Sequence, residues 1–358
     1  MGMYGVLFSV CMFPFIINAK ECCDVGDIVV GCPDYTVDTQ FRALFLKPST
    51  NNLYYAAEAF PLKNGIAVPL ASPNWQIFDL HPTYHFGFDL GLHAIIHSRR
   101  SGVFANWEHF SSTTHSSHSA LLGLDAMVGP LSSIGPDSAP YEDAFGEVTF
   151  HFNEFNIRYG QYIDLGEYLQ TVISAGVSVA QVKQDLITIY ATPSASVSRT
   201  TFDPSSFTGA GPLLSFDFAY TIGHGFKIAG QTMAALLMGT AKNRTIYSSA
   251  APLITQLGNP YPNVQNTCVE NRIQMIPSFT ERLGFMYYYH FCDDRHASIE
   301  VGFEAKILLN VIQSTDLSSG VIDILPTANE AGVFARTFAR TLGNFSLGGP
   351  YIAFDIAF

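Results

Sequence analysis

The sequence predicts an all-β chain that closes into a transmembrane, antiparallel, up-and-down barrel of about ten strands, with about twelve as the alternative. Three observations predict it. Charged residues supply 13% of the chain, aromatic residues another 13%, and mean hydropathy is +0.19, whereas an ordinary soluble domain carries about twice that share of charge. Beyond residue 19, no apolar run approaches the ~18 to 20 residues that a membrane-spanning helix requires. Several segments instead alternate apolar and polar side chains with a period of two, and a closed sheet is the remaining way to satisfy every backbone donor and acceptor inside hydrocarbon.

Residues 1–19 carry no charge, are dominated by apolar side chains such as Val6, Leu7, Phe8, Ile16 and Ile17, and end in Asn18-Ala19 before Lys20. They read as a secretory signal peptide ending at Ala19, although the usual basic residues at its start are lacking. Residues 20–39 are then a periplasmic amino-terminal segment, and 40–358 the barrel. Setting aside Cys11 leaves Cys22, Cys23, Cys32, Cys268 and Cys292 as disulfide candidates. Five cysteines cannot all pair within one chain, so an oxidising envelope implies a free thiol or an intermolecular bridge. No Cys-x-x-Cys spacing occurs, and a zinc ribbon has no support.

Strand by strand, alternation assigns a lipid face and a lumen face. Tyr84, Phe86, Phe88, Leu90, Leu92, Ala94 and Ile96 oppose His85, Asp89, His93 and His97. Parity then breaks: Val148, Phe150 and Phe152 are even, while Phe155, Ile157 and Tyr159 are odd, which predicts a β-bulge near Asn153 and Glu154. Leu169 to Val179 is apolar on odd positions, with Ser174, Gly176, Ser178 and Ala180 opposite. Leu214, Phe216, Phe218 and Tyr220 oppose Ser215, Asp217 and Thr221, and Leu283, Phe285, Tyr287, Tyr289 and Phe291 oppose Arg282, Tyr288 and His290. Ile299, Val301, Phe303, Ala305 and Ile307 face away from Ser298, Glu300, Glu304, Lys306 and Asn310. In the last strand Ile352, Phe354, Ile356 and Phe358 oppose Tyr351, Ala353, Asp355 and Ala357. That ending, Tyr351, Phe354, Ile356 and Phe358, is the expected signal to a bacterial barrel-insertion machinery.

Short joins at 98–102, 164–166, 223–225 and 293–296 alternate with long ones near 61–81, 112–143, 192–207, 241–271 and 312–345. Bacterial barrels pair short periplasmic turns with long extracellular loops, so both termini are periplasmic and the location is the bacterial outer membrane.

Several motifs spread over the mature chain resemble the Legionella-type major outer membrane protein family, with relatives in chlamydia-like bacteria. They are Leu46-Lys47-Pro48-Ser49-Thr50-Asn51-Asn52-Leu53-Tyr54-Tyr55-Ala56, Ser72-Pro73-Asn74-Trp75, and His81-Pro82-Thr83-Tyr84 running into Phe88-Asp89-Leu90-Gly91-Leu92. Further matches are Trp107 before Ser111-Ser112-Thr113, Phe207-Thr208-Gly209-Ala210-Gly211-Pro212, Ala235-Leu236-Leu237-Met238-Gly239, and Gly349-Pro350-Tyr351. The resemblance implies an abundant porin-like barrel that presents loops to host cells and forms disulfide-linked oligomers. It carries no catalytic set, and none is expected.

The lumen-lining candidates by parity are His85, Asp89, His93, His97, Arg158, Asp217, Arg282, Glu300, Glu304, Lys306 and Asp355. Opposed carboxylates and guanidinium groups bias ion passage through an open pore, or pair across a narrow interior and plug it. Seven of the 11 histidines fall between His81 and His118. Those sharing a face recur every four residues or so, about 13 Å along a strand, too far apart to hold one metal. No metal and no cofactor is therefore expected. Tyr287, Tyr288 and Tyr289, with Phe285 and Phe291, read as an aromatic girdle. The net charge of -12 argues against nucleic acid as a partner. Outer-membrane lipid, the insertion machinery and, through the resemblance, host surfaces are the expected partners. Passive diffusion of small hydrophilic solutes is the leading function. A plugged adhesin or structural barrel is the alternative, and a hydrolase using Glu108 and His109 near the outer rim is the third reading.

Overall fold

Long alternating segments form fourteen strands among the described residues of this computed structural model, which are 35–59, 75–120, 126–128, 142–166, 168–191, 198–249, 264–290, 296–323 and 331–357. In chain order they are β1 (Tyr35–Ser49), β2 (Tyr54–Ala59), β3 (Trp75–Asp79), β4 (His85–Ile96), β5 (Ser101–Ser119), β6 (Ala126–Val128) and β7 (Asp143–Leu165). There follow β8 (Leu169–Ala191), β9 (Ser198–Gly223), β10 (Phe226–Ser249), β11 (Val264–Cys268), β12 (Arg272–His290), β13 (His296–Asp323) and β14 (Ala331–Ala357). Among these residues no helix is long and apolar enough to cross a membrane.

Ten of the described strands close a ring. Its order is β1, β4, β5, β7, β8, β9, β10, β12, β13, β14 and back to β1, every pair antiparallel; β11 continues beside the far end of β10. β1 is already paired at Tyr35, opposite Ile96. At the short-turn end, β9 and β10 are joined by His224-Gly225, both with positive φ (53° and 83°). That is the twist-matched geometry of a two-residue hairpin.

The register fixes the shape. A paired row that leaves Asn153 through His109, Phe88, Ala43, Ile352, Val301, Phe285, Ile228, Tyr220 and Leu169 returns to β7 at Leu165. A stagger of about 12 residues over ten strands means a lean of about 40° and a backbone radius of roughly 10 Å. Because Leu165 sits at a short turn, the row descends toward the periplasm in that direction.

The expected bulge near Asn153 and Glu154 does not form. Pairing of β7 with β5 and with β8 runs unbroken through both residues, and even positions point inward along the whole strand. What changes there is the solvent outside. A strand of 23 residues leaning by about 40° stands roughly 58 Å tall, more than twice the ~25 Å apolar band of such barrels. Inside the membrane the wall is apolar outward (Phe155, Ile157, Tyr159) and polar inward (Glu154, Asn156, Arg158); beyond it Val148, Phe150 and Phe152 turn to a dry interior. The actual irregularity lies in β13, where three residues between Leu308 and Ile312 face one residue of β14 and Asn310 takes a φ of 59°. Asn310 is therefore exposed rather than inward as alternation predicts.

The same extension shortens the expected loops. Residues 112–119, 198–207, 241–249, 312–323 and 331–345 continue barrel strands instead of connecting them. The β1–β4 connection and the β5–β7 connection contribute a second sheet, ordered β3, β2, β6. Tyr55 of β2 seats this cap inside the barrel: it is buried, its carbonyl accepts the Tyr190 hydroxyl, and its own hydroxyl lies 3.2 Å from Ser116. A Cβ on Gly146 would stand 2.6 Å from the Tyr55 ring carbon. Gly146→Ala is accordingly expected to cost about 1–3 kcal/mol by overpacking, read as a lower denaturant midpoint. In a Tyr55→Ala background the further cost of Gly146→Ala should fall to near zero, and an unchanged midpoint for Gly146→Ala alone would place Tyr55 elsewhere.

Candidate functional site: the filled lumen

A ring of roughly 10 Å radius leaves its inward side chains meeting near the axis, so small barrels fill their own interiors. Here the filling comes in layers. Toward the long loops lies an apolar layer built from nine of the ten ring strands: Leu44 and Leu46, Phe110, Phe150 and Phe152, Val182, Phe207, Leu237, Ile276, Leu308, and Phe345 among them. Phe345 reaches across the lumen, its ring centroid 5.6 Å from Phe150 and 5.9 Å from Phe152.

Beneath it lies an ionic layer. One paired row aligns Arg42, Asp89, Glu108 and Glu154 on β1, β4, β5 and β7. The opposite wall supplies Arg282 from β12 and Glu304 and Lys306 from β13. Across the axis, Lys306 Nζ donates to Glu108 and Glu154, each at 2.5 Å, and lies 3.9 Å from Glu304. Arg282 binds Glu304 at 2.8 Å, Asp89 at 3.0 Å and Glu108 at 3.3 Å, while Arg42 closes the set on Asp89. Ser178 donates to the second Glu154 oxygen at 3.0 Å. Glu304 and Lys306 are fully buried. Three cations against four carboxylates in one desolvated knot hold four strands of one wall to two of the other. Lys306 also stands 4.7 Å above the Phe152 ring, which joins the two layers.

Toward the short turns the lumen opens into a cavity of about 180 Å³, bordered by Gln40, Arg42, Arg158, Gln170, Asp217 and Tyr351. Arg158 donates to Asp217 and Ser215, both at 2.6 Å, and Tyr351 donates to Glu300.

The structure thus brings Asp89, Arg282, Glu304 and Lys306 into one cluster and Arg158 with Asp217 into a second. Glu300 sits by Tyr351, and Asp355 accepts from Gln40 at 3.1 Å. His93 faces inward, edge-on to Phe104 at 5.2 Å. His85 lies at the loop end of β4, 3.3 Å from Thr83. The His97 side chain lies outside the described residues. Among those residues, no three His, Cys, Asp or Glu side chains gather as metal ligands. Of the carboxy-terminal set, Phe354 and Ile356 face lipid, Tyr351 is buried in the lumen, and Phe358 is outside the described residues. Of the girdle, Phe285, Tyr287 and Tyr289 face outward, as Tyr159, Tyr168 and Tyr220 do elsewhere on the wall, but Tyr288 turns inward under Lys227 at 4.5 Å; Phe291 lies outside the described residues. Cys22, Cys23, Cys32 and Cys292 also lie outside, and Cys268 is in β11 with its side chain undescribed.

The lumen-lining set expected from parity leaves out Arg42, Glu108 and Glu154, which the structure turns inward. Glu108 is not at an outer rim: it points into the knot, while His109 points outward to Asn153 at 2.7 Å. Adjacent strand residues face opposite sides, so the two cannot share a hydrolytic site.

A closed, leaning ring with an apolar belt outside and a layered interior defines an integral β-barrel of the bacterial outer membrane. The chain belongs to the family described as Legionella pneumophila major outer membrane protein precursor, which matches residues 29–358. No curated protein matches it. Among solved structures it is similar to the outer membrane protease OmpT of Escherichia coli, at 10% identity and a TM-score of 0.42, over 90% of this chain and 97% of that one. It is also similar to the toluene transporter TodX of Pseudomonas putida, at 6% identity and a TM-score of 0.30, over 91% and 90%. A FadL homologue of Pseudomonas aeruginosa gives 7% identity and a TM-score of 0.23, over 91% and 90%.

Proposed function

We propose that this barrel is a non-enzymatic structural and surface-presenting protein of the outer membrane whose lumen is closed at rest, rather than a standing pore for small solutes. The observation that carries the reading is the pair of stacked layers, the Phe150–Phe152–Phe345 layer above the Lys306–Arg282 knot, whose members are buried from both ends. A hydrated ion passing through would have to displace aromatic rings and then break a desolvated charge cluster, each step costing several kcal/mol. The tall, polar-sided extension beyond the membrane and its cap then hold the loops above the lipid, the part offered to host surfaces.

A second reading keeps diffusion. The periplasmic cavity beside Arg158 and Asp217 is a polar vestibule, which a pore reached by opening the layers would use. Purified protein in planar bilayers separates the two. Membranes that stay silent across a wide voltage range are the expected result; stepwise conductance from the unmodified protein at low voltage would reverse the choice.

A further inference from the structure

On the outer wall, one paired row carries Lys47, Gly348, Ala305, Glu281 and Thr232 across β1, β14, β13, β12 and β10. All five positions point outward, because their neighbours Leu46, Leu347, Lys306, Arg282 and Gln231 face the lumen. Glycine and alanine at the middle of the row leave a dent between larger neighbours. It is a groove of about 440 Å³ floored by Ala305, Gly348 and Ser346 and flanked by Phe279, Phe303 and Tyr84.

Gly348 is not small because packing demands it. A Cβ there would meet nothing nearer than 3.9 Å, whereas one on the adjacent Gly349 would collide with the Phe45 carbonyl. The missing side chain at 348 serves the groove instead of the wall.

The two ends of the groove carry ionisable groups at different depths. Lys47 and Glu281 are three strand spacings apart, about 14 Å along the row, and the lean of the strands puts Glu281 roughly 9 Å deeper toward the mid-plane. Lys47 follows Phe41 and Phe45 at the outer edge of the apolar belt, and among the described residues no carboxylate lies within ion-pair distance of it. Glu281 lies inside the belt, between exposed Phe279 and Leu283, and accepts from Thr232 at 2.6 Å. A carboxyl group turned to lipid is costly to keep and marks a site with a polar ligand.

We infer that this groove binds one molecule of an anionic outer-leaflet glycolipid, with a phosphate on Lys47 and an amide or hydroxyl of an acyl chain on Glu281. The inference rests on the outer-membrane placement and not on whether the lumen conducts. The depths match that class of lipid. Its phosphorylated sugar sits at the interface, within reach of the long Lys47 side chain, and amide-linked, hydroxylated acyl chains present their N–H and O–H donors below it, on the side of Glu281. A zwitterionic phospholipid of ordinary build carries no donor at that depth. The apolar groove between the two groups takes the chain.

The test uses full-length folded protein in detergent, mixed with a bis-phosphorylated glucosamine-based lipid, its dephosphorylated form, or phosphatidylglycerol, and weighed intact by native mass spectrometry. The unmodified protein is expected to retain one glycolipid and to prefer it to both comparison lipids. Lys47→Ala should erase the preference for the phosphorylated form, and Glu281→Leu the preference over phosphatidylglycerol. Gly348→Leu, whose Cβ has room and whose branched end enters the groove, should cut retention roughly tenfold or more, a loss of about 1.4 kcal/mol. Circular dichroism and heat-modified electrophoretic mobility establish that each variant is folded; Lys47 is exposed and tests the idea even if the groove variant misfolds. Equal retention of all three lipids, or unchanged retention by the folded variants, overturns the assignment. So does a dimer of the unmodified protein that Gly348→Leu splits, since the occupant is then a second copy of this chain.

Discussion

Lys306→Met should lower the stability of the barrel by about 3–5 kcal/mol, the cost of removing one partner from a buried charge cluster. The size follows from what is left behind. Lys306 is the only cation reaching Glu154 among the described residues, and it shares Glu108 and Glu304 with Arg282. Without it, four carboxylates remain in a dry interior against two guanidiniums, and neither guanidinium is within ion-pair distance of Glu154. Methionine fills nearly the same volume and keeps contact with Phe152, so packing loss is small and the deficit is electrostatic. The check is a denaturant midpoint in detergent micelles for Lys306→Met and for Lys306→Met with Glu154→Gln. The double variant should recover much of the loss, because a neutral amide at 154 can still accept from Ser178. A midpoint for the single variant within error of the unmodified protein would mean that the knot is wet and not a seal.

Legibility in the sequence followed the solvent on each side of the wall. In β13 and β14 hydrocarbon lies outside and polar groups inside, and Glu300, Glu304, Lys306 and Asp355 lie on the inward parity of an unbroken alternation. In β7 the same alternation changes sign where the strand leaves the membrane, and a rule that assigns apolar residues to lipid reads the change as a bulge. Holding parity through Phe152, Glu154 and Asn156 would have found Glu154. Arg42 is adjacent to Phe41 and Ala43 and could have been found the same way from Phe41, Ala43 and Phe45. Which charges meet across the axis was not legible, because it depends on the stagger of the ring, a property of all ten pairings together. Nor was the groove: Lys47 and Glu281 are far apart in the chain, and only the register brings them to one row with Gly348 between.

The apolar layer should respond most to its central ring. Phe345→Ala is expected to cost about 3–5 kcal/mol, the usual range for deleting a buried phenylalanine. Phe345 is fully buried and touches rings from β7, so it closes the gap between walls that share no backbone pairing. The void would border the dry layer only, with the ionic knot intact beneath it, so bilayers should remain silent although the midpoint falls. Combining Phe345→Ala with Lys306→Met removes one plug from each layer, and stepwise conductance should then appear in planar bilayers. The order matters for the argument. If Phe345→Ala alone conducts, the ionic layer does not seal the lumen and the aromatic layer alone holds it shut. If the combined variant folds by circular dichroism and still passes no current, the closed state does not depend on these two layers, and the cap held by Tyr55 is the barrier.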